Sequence, residues 1–114
     1  MAGDIIYINV EEGSKRVMNN TKLYVKLLAK FKDDKNLKDT EAFLAAGELE
    51  KAQVSIHTLK GLAANLSLTE LFKQSLELET QIKAKSVNPD QIAALVNVYN
   101  QTLAETDKVI AQYG

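Results

Sequence analysis

His57 is the one histidine in this 114-residue chain, and there is no cysteine. An imidazole with an ordinary pKa of about 6.5 is nucleophilic at pH 7 and can also depart from phosphorus, so it suits group transfer. His57 sits in a helical stretch at 48–65. On a wheel of about 100° per residue, Ala52, Ile56, Leu59, Leu62, Ala63 and Leu66 gather on one side. His57 faces the other way, among Glu50, Gln53, Lys60, Gly61 and Ala64. A lone histidine on a helix exterior is ordinarily just a surface residue, so its neighbours must decide the matter.

Two of those neighbours break local rules. Gly61 lies in mid-helix, one turn after His57, where glycine costs about 1 kcal/mol relative to alanine. Close helix packing would explain it, but Gly61 is on the histidine side, where a missing Cβ clears room for something large to approach the ring. Glu79 falls within the apolar stripe of the next helix, formed by Leu68, Leu71, Phe72, Ser75, Leu78 and Ile82. A carboxylate there needs a partner or must bend out to water, because desolvating it unpaired is expensive. One partner is His57: a hydrogen bond from Nδ1–H to Glu79 would fix the tautomer and leave Nε2 as the exposed nucleophile. Lys60, three residues after His57, can reach the same patch and neutralise a phosphoryl group at Nε2. Any one of these residues is unremarkable alone. Together they look like a functional site.

The elements that position these residues are all helical. Asn9-Val-Glu-Glu12 has capping-box spacing and opens a short helix that ends near Asn19 and Asn20. A second helix is expected over 21–31, with Leu23, Tyr24, Leu27, Leu28 and Phe31 on one stripe. A polar break over 32–36 precedes a helix over 37–46, stopped by Gly47. After the helix over 48–65, a second capping box, Ser67-Leu-Thr-Glu70, opens a helix over 67–85. Asn88 as N-cap and Pro89 at the first helical position start the last helix, whose stripe is Ile92, Leu95, Val96, Tyr99, Leu103, Ile110 and Tyr113. No strand alternation and no internal repeat stand out. The expected fold is all-α: an antiparallel up-down four-helix bundle over about 37–113, with short N-terminal helices at about 10–32 packed with it as one domain over 1–114.

Composition narrows the function. Without cysteine there are no disulfides, zinc ribbons, iron–sulfur clusters or thiol catalysis, and one histidine makes no His-rich metal site. With 14 basic and 15 acidic residues and no basic block, the chain is not a phosphate-neutralising nucleic-acid binder. The first ten residues lack the basic start and long apolar run of a signal peptide, and no stretch approaches the roughly 18–20 apolar residues of a membrane span. A cytoplasmic location and no membrane association are the expectation. There is no glycine-rich phosphate loop with an acidic metal cluster, and no nucleophile–base or carboxylate pair that reads as a hydrolytic site.

The run Ser55-Ile-His57-Thr-Leu-Lys60-Gly61-Leu-Ala63-Ala-Asn65-Leu66-Ser67 resembles the signature of the histidine-containing phosphotransfer (HPt) family, His-x-Leu-Lys-Gly-x-Ala followed by Asn-Leu-Gly. Leu71, Leu78 and Glu79 fall where that family has its Leu…Leu-Glu pattern, and Arg16, Asn20, Leu23, Tyr24, Leu27, Leu28 and Phe31 look like its first helices. The resemblance implies a phosphorelay carrier in two-component signalling. In it His57 is phosphorylated, Lys60 and Gly61 shape the surroundings, Glu79 orients the ring, and Lys83 is a second charge. Two positions depart from the pattern: Ser67, where glycine is commoner, and Ser14, where leucine is. Ser67 is expected to serve as an N-cap all the same.

On this reading the partners are response-regulator receiver domains, possibly within a hybrid sensor histidine kinase. The receiver would bring Mg²⁺ while this chain holds no cofactor and no metal. The docking face is expected around Gln53, Lys60, Gly61 and Ala64, helped by the first helix, on a monomer that makes small, transient interfaces. The alternative is a non-catalytic helical interaction module with an incidental histidine.

Overall fold

The computed structural model describes residues 6–114, which form six helices and, among the described residues, no strand. The part of the N-terminal reading that rests on residues 1–5 lies outside them. The helices are α1 (Val10–Arg16), α2 (Thr21–Phe31), α3 (Asn36–Ala45), α4 (Leu49–Asn65), α5 (Thr69–Lys83) and α6 (Pro89–Tyr113). α3 packs on α4, α4 on α5 and α5 on α6, each pair joined by a short turn; this is the antiparallel four-helix bundle. α2 lies along α6, and α1 leans on α2.

α2 is more than a cover. Tyr24, Val25, Leu28 and Phe31 belong to the same buried cluster as Leu37, Ile56, Leu59, Leu71, Leu78, Ile82 and Leu95. The core therefore begins well before residue 37. The stripe on α2 is also rotated from the expected one: Val25 is buried, while Leu23 is 41% exposed. On α6 the centre of the buried face is Leu95, Thr102, Thr106 and Val109, whereas Ile92, Val96, Tyr99, Leu103 and Ile110 are only half-buried and Tyr113 is exposed. Each threonine hydroxyl donates to the carbonyl one turn back, Thr102 to Val98 at 2.7 Å and Thr106 to Thr102 at 2.8 Å. With their hydroxyls satisfied inside the helix, threonines can face a dry core.

Asn9 and Asn20 cap α1 and α2, accepting from the backbone N–H of Glu12 and Leu23, and Asn88 caps α6 by accepting from Asp90 N–H. The expected box at Ser67–Glu70 does not form. Ser67 has a positive φ of 56° and terminates α4: Leu68 N–H donates to Ala63 O at 2.8 Å and Ser67 N–H to Ala64 O at 3.3 Å. A residue holding this left-handed closing turn cannot also take the extended N-cap conformation, so Leu68 starts α5 without a side-chain cap. The same position is where the family pattern has glycine, the residue that adopts positive φ at least cost.

That turn is held from outside. Asn9 N–H donates to Ser67 O at 2.9 Å and Thr69 N–H to Tyr7 O at 3.1 Å. The Ser67 hydroxyl donates to Glu12 Oε1 at 2.8 Å, and the Tyr24 hydroxyl to Leu66 O at 2.6 Å. Glu12 thus reaches across to Ser67 instead of back to Asn9.

Candidate functional site

α4 fixes where His57 points. Ala52, Ile56, Leu59 and Ala63 are fully buried against the neighbouring helices, which leaves the opposite face of α4 to solvent. The His57 side chain keeps 67% of its surface exposed. Leu62, expected on the core side, is half-buried instead and lines a groove of about 780 Å³ with Leu27, Phe31 and Leu66. His57 does not line that groove, and with two thirds of its side chain exposed it stands on an open surface.

α5 supplies the group beneath the ring. Burial of Leu71, Ser75, Leu78 and Ile82 carries Glu79 inside with them, where it is 2% exposed. Its two oxygens are used separately. Oε2 accepts from His57 Nδ1 at 2.8 Å, and Oε1 accepts from Lys60 Nζ at 2.6 Å. Lys83, one turn further along α5, places Nζ 3.9 Å from Oε2. Burial pushes the Glu79 carboxyl up. The hydrogen bonds from Lys60 and His57, with the positive charges of Lys60 and Lys83, outweigh it and hold the group below its ordinary value. An ionised carboxylate only accepts, so the neutral ring must carry its proton on Nδ1. Nε2 then keeps its lone pair on the exposed side, free for an electrophile.

Gly61 has open space beside it: a Cβ built there meets no atom within 4 Å. Helix packing therefore does not explain this glycine. Gln53 is half-buried one turn before His57, and Ala64 is half-buried two turns after it. Ala64 lines a smaller groove, of about 340 Å³, with Glu12 and Arg16 of α1 and Phe72 and Lys73 of α5. The structure thus brings His57, Lys60, Glu79 and Lys83 into one contact network, with Gly61 open beside it and Ala64 further along the same helix face.

Lys60 is where the geometry departs most from expectation. Its ammonium does not lie free on the surface beside the imidazole; it is 21% exposed and bonded to Glu79. The wheel places Lys60 near His57, and a Glu79 that stays on the core stripe needs a partner. Nothing in the spacing said that the carboxylate would take both donors.

Among the described residues no group of three or more His, Cys, Asp or Glu could hold a metal ion, and no helix is long and apolar enough to cross a membrane. Residues 26–106, from within α2 to within α6, match the family model of the Hpt domain, and the match contains the whole of the network just described. No curated protein matches the chain, and no solved structure does.

Proposed function

The chain belongs to the Hpt domain family, and from that membership we propose that His57 accepts a phosphoryl group from the aspartyl phosphate of one receiver domain and hands it to another. Hpt domains serve histidine phosphotransfer in two-component signalling, interact with receiver domains, and are phosphocarriers and not kinases or phosphatases. The observation that carries the assignment is an imidazole 67% exposed whose Nδ1 is held at 2.8 Å by a buried carboxylate.

The transfer needs no proton movement on this chain. The Nε2 lone pair attacks phosphorus, the bond from phosphorus to the aspartyl oxygen breaks, and its electron pair leaves with the aspartate carboxylate. The ring, still protonated at Nδ1, becomes a phosphoimidazolium, and its new positive charge faces Glu79 Oε2. A carboxylate fixed in place before charge develops stabilises it without reorganisation. The return step reverses this sequence, with the imidazole leaving as the neutral ring. Mg²⁺ and the remaining catalytic groups belong to the receiver, and this chain needs no cofactor. The exposed surface of α4 around Gln53, Gly61 and Ala64 is the docking face, joined by α1 through Arg16. The working state is a monomer, and a hybrid sensor kinase is one source of the donor receiver.

Incubation with receivers phosphorylated in advance tests the assignment. Acid-labile label is expected on this protein and none on His57→Gln. Failure of the wild-type protein to take label from any of several receivers would sink the reading and leave a helical interaction module.

A further inference from the structure

Two ammonium groups flank Glu79, and they are placed differently. Lys60 Nζ lies 2.6 Å from Oε1, the oxygen that does not touch the imidazole, and its side chain is only 21% exposed. Lys83 Nζ lies 3.9 Å from Oε2, the oxygen that accepts from Nδ1, and its side chain is 55% exposed. Lys60 is thus anchored, and leaving Glu79 would strand a carboxylate that is 2% exposed without its shortest hydrogen bond. Losing such a bond inside a protein is costly. Among the described residues Lys83 gives no hydrogen bond, and it lies beside the ring-bearing oxygen with a flexible, half-exposed stem.

We propose that the two lysines divide the work: Lys60 is a positioning residue that acts on His57 through Glu79, and Lys83 is the cation that meets the phosphoryl group at Nε2. When the phosphoryl group arrives, Lys83 has only to swing its terminal atoms from the carboxylate edge to the phosphoryl oxygens. Lys60 stays where it is and keeps Glu79 ionised under the ring. The division deepens the phosphocarrier reading and rests on it for the Lys83 half; the Lys60 half concerns the resting protein alone.

Two measurements separate the halves. Nitrogen NMR of the His57 ring and carbon NMR of the Glu79 carboxyl, followed against pH, need no phosphoryl group. In Lys60→Met the Glu79 midpoint is expected to rise and the Nδ1–H tautomer to lose its dominance, with Lys60→Arg restoring both. Lys83→Met should leave the tautomer unchanged. Transfer from a phosphorylated receiver is then timed at low and high salt. Lys83→Met should be slower by about tenfold at low salt, less at high salt, as expected for an exposed charge. Its effect should multiply with that of Glu79→Gln, whereas Lys60→Met added to Glu79→Gln should cost nothing further, since both act through one carboxylate.

The proposal is overturned if Lys60→Met leaves ring and carboxyl signals as in the wild type, or if Lys83→Met transfers at the wild-type rate. Should the wild-type protein accept no label, the phosphoacceptor reading fails and takes the Lys83 half with it. The NMR arm still decides Lys60. Circular dichroism on each variant, with Lys60→Arg as the folded control, guards against loss of the bundle.

Discussion

Glu79 keeps its charge in an interior position because donors meet both of its oxygens. Its carboxyl is held below the unfolded value, so it stabilises the fold fully above the unfolded pKa, and that contribution is lost as pH falls through the folded one. Unfolding midpoints taken between pH 7 and 2 should therefore show an acid-side loss of stability that is shallower in Glu79→Gln; equal acid limbs would show that the pairing adds nothing. At this scale much was legible in the sequence. Helical spacing set His57 outside the core and Glu79 on the core stripe, where it either finds a donor or bends out to water; the structure shows it buried with donors. The position of Lys60 was not legible, because a wheel gives the direction of a side chain from its own axis and not the distance between tips on two helices. Ser75 and Ser14 are buried with hydroxyls that find no partner among the described residues.

The helices owe their ends to local chemistry that is only partly visible in residue types. Asn9, Asn20 and Asn88 cap as their side chains predict, and Gly47, with φ of 73°, closes α3. Ser67 and Lys85 close α4 and α5 with φ of 56° and 55°, the conformation of Gly47, although neither is glycine. Serine in a Ser-x-x-Glu pattern reads as the start of a helix, and only the chain path shows that it ends the previous one. Gly61 belongs to the element as much as to the site, because an exposed mid-helix glycine weakens α4. Gly61→Ala is expected to raise stability by about 1 kcal/mol, since the new methyl meets nothing and helix propensity improves. The same variant should take phosphoryl groups from a receiver several times more slowly. Chemical denaturation and transfer kinetics on one preparation check both, and a gain in stability with unchanged transfer would deny Gly61 its role at the docking face.

At the level of the whole molecule, the described N-terminal residues are bonded to the bundle and packed with it. Residues 7–12 bond to the α4–α5 turn, and α2 adds Tyr24, Leu28 and Phe31 to the common core. Gly13 allows this: a Cβ there would overlap the Tyr24 ring, whose hydroxyl holds Leu66 O. Gly13→Ala should cost about 1–3 kcal/mol through overpacking, seen as a lower urea midpoint; an unchanged midpoint would mean that α1 can slide aside freely. The bundle itself was legible from the amphipathic stretches and the short connections between them. The depth of α2 was not, because an eleven-residue helix reads equally well as cover or core, and threonines on α6 took interior places that periodicity assigns to aliphatic residues. The exposure of His57 has a further consequence. A reactive atom with no walls around it cannot screen its visitors, so any choice among acceptors has to be written in the terrain they land on. Partner preference should accordingly be exchangeable by grafting outward-facing residues of α4 while the imidazole and its carboxylate stay untouched.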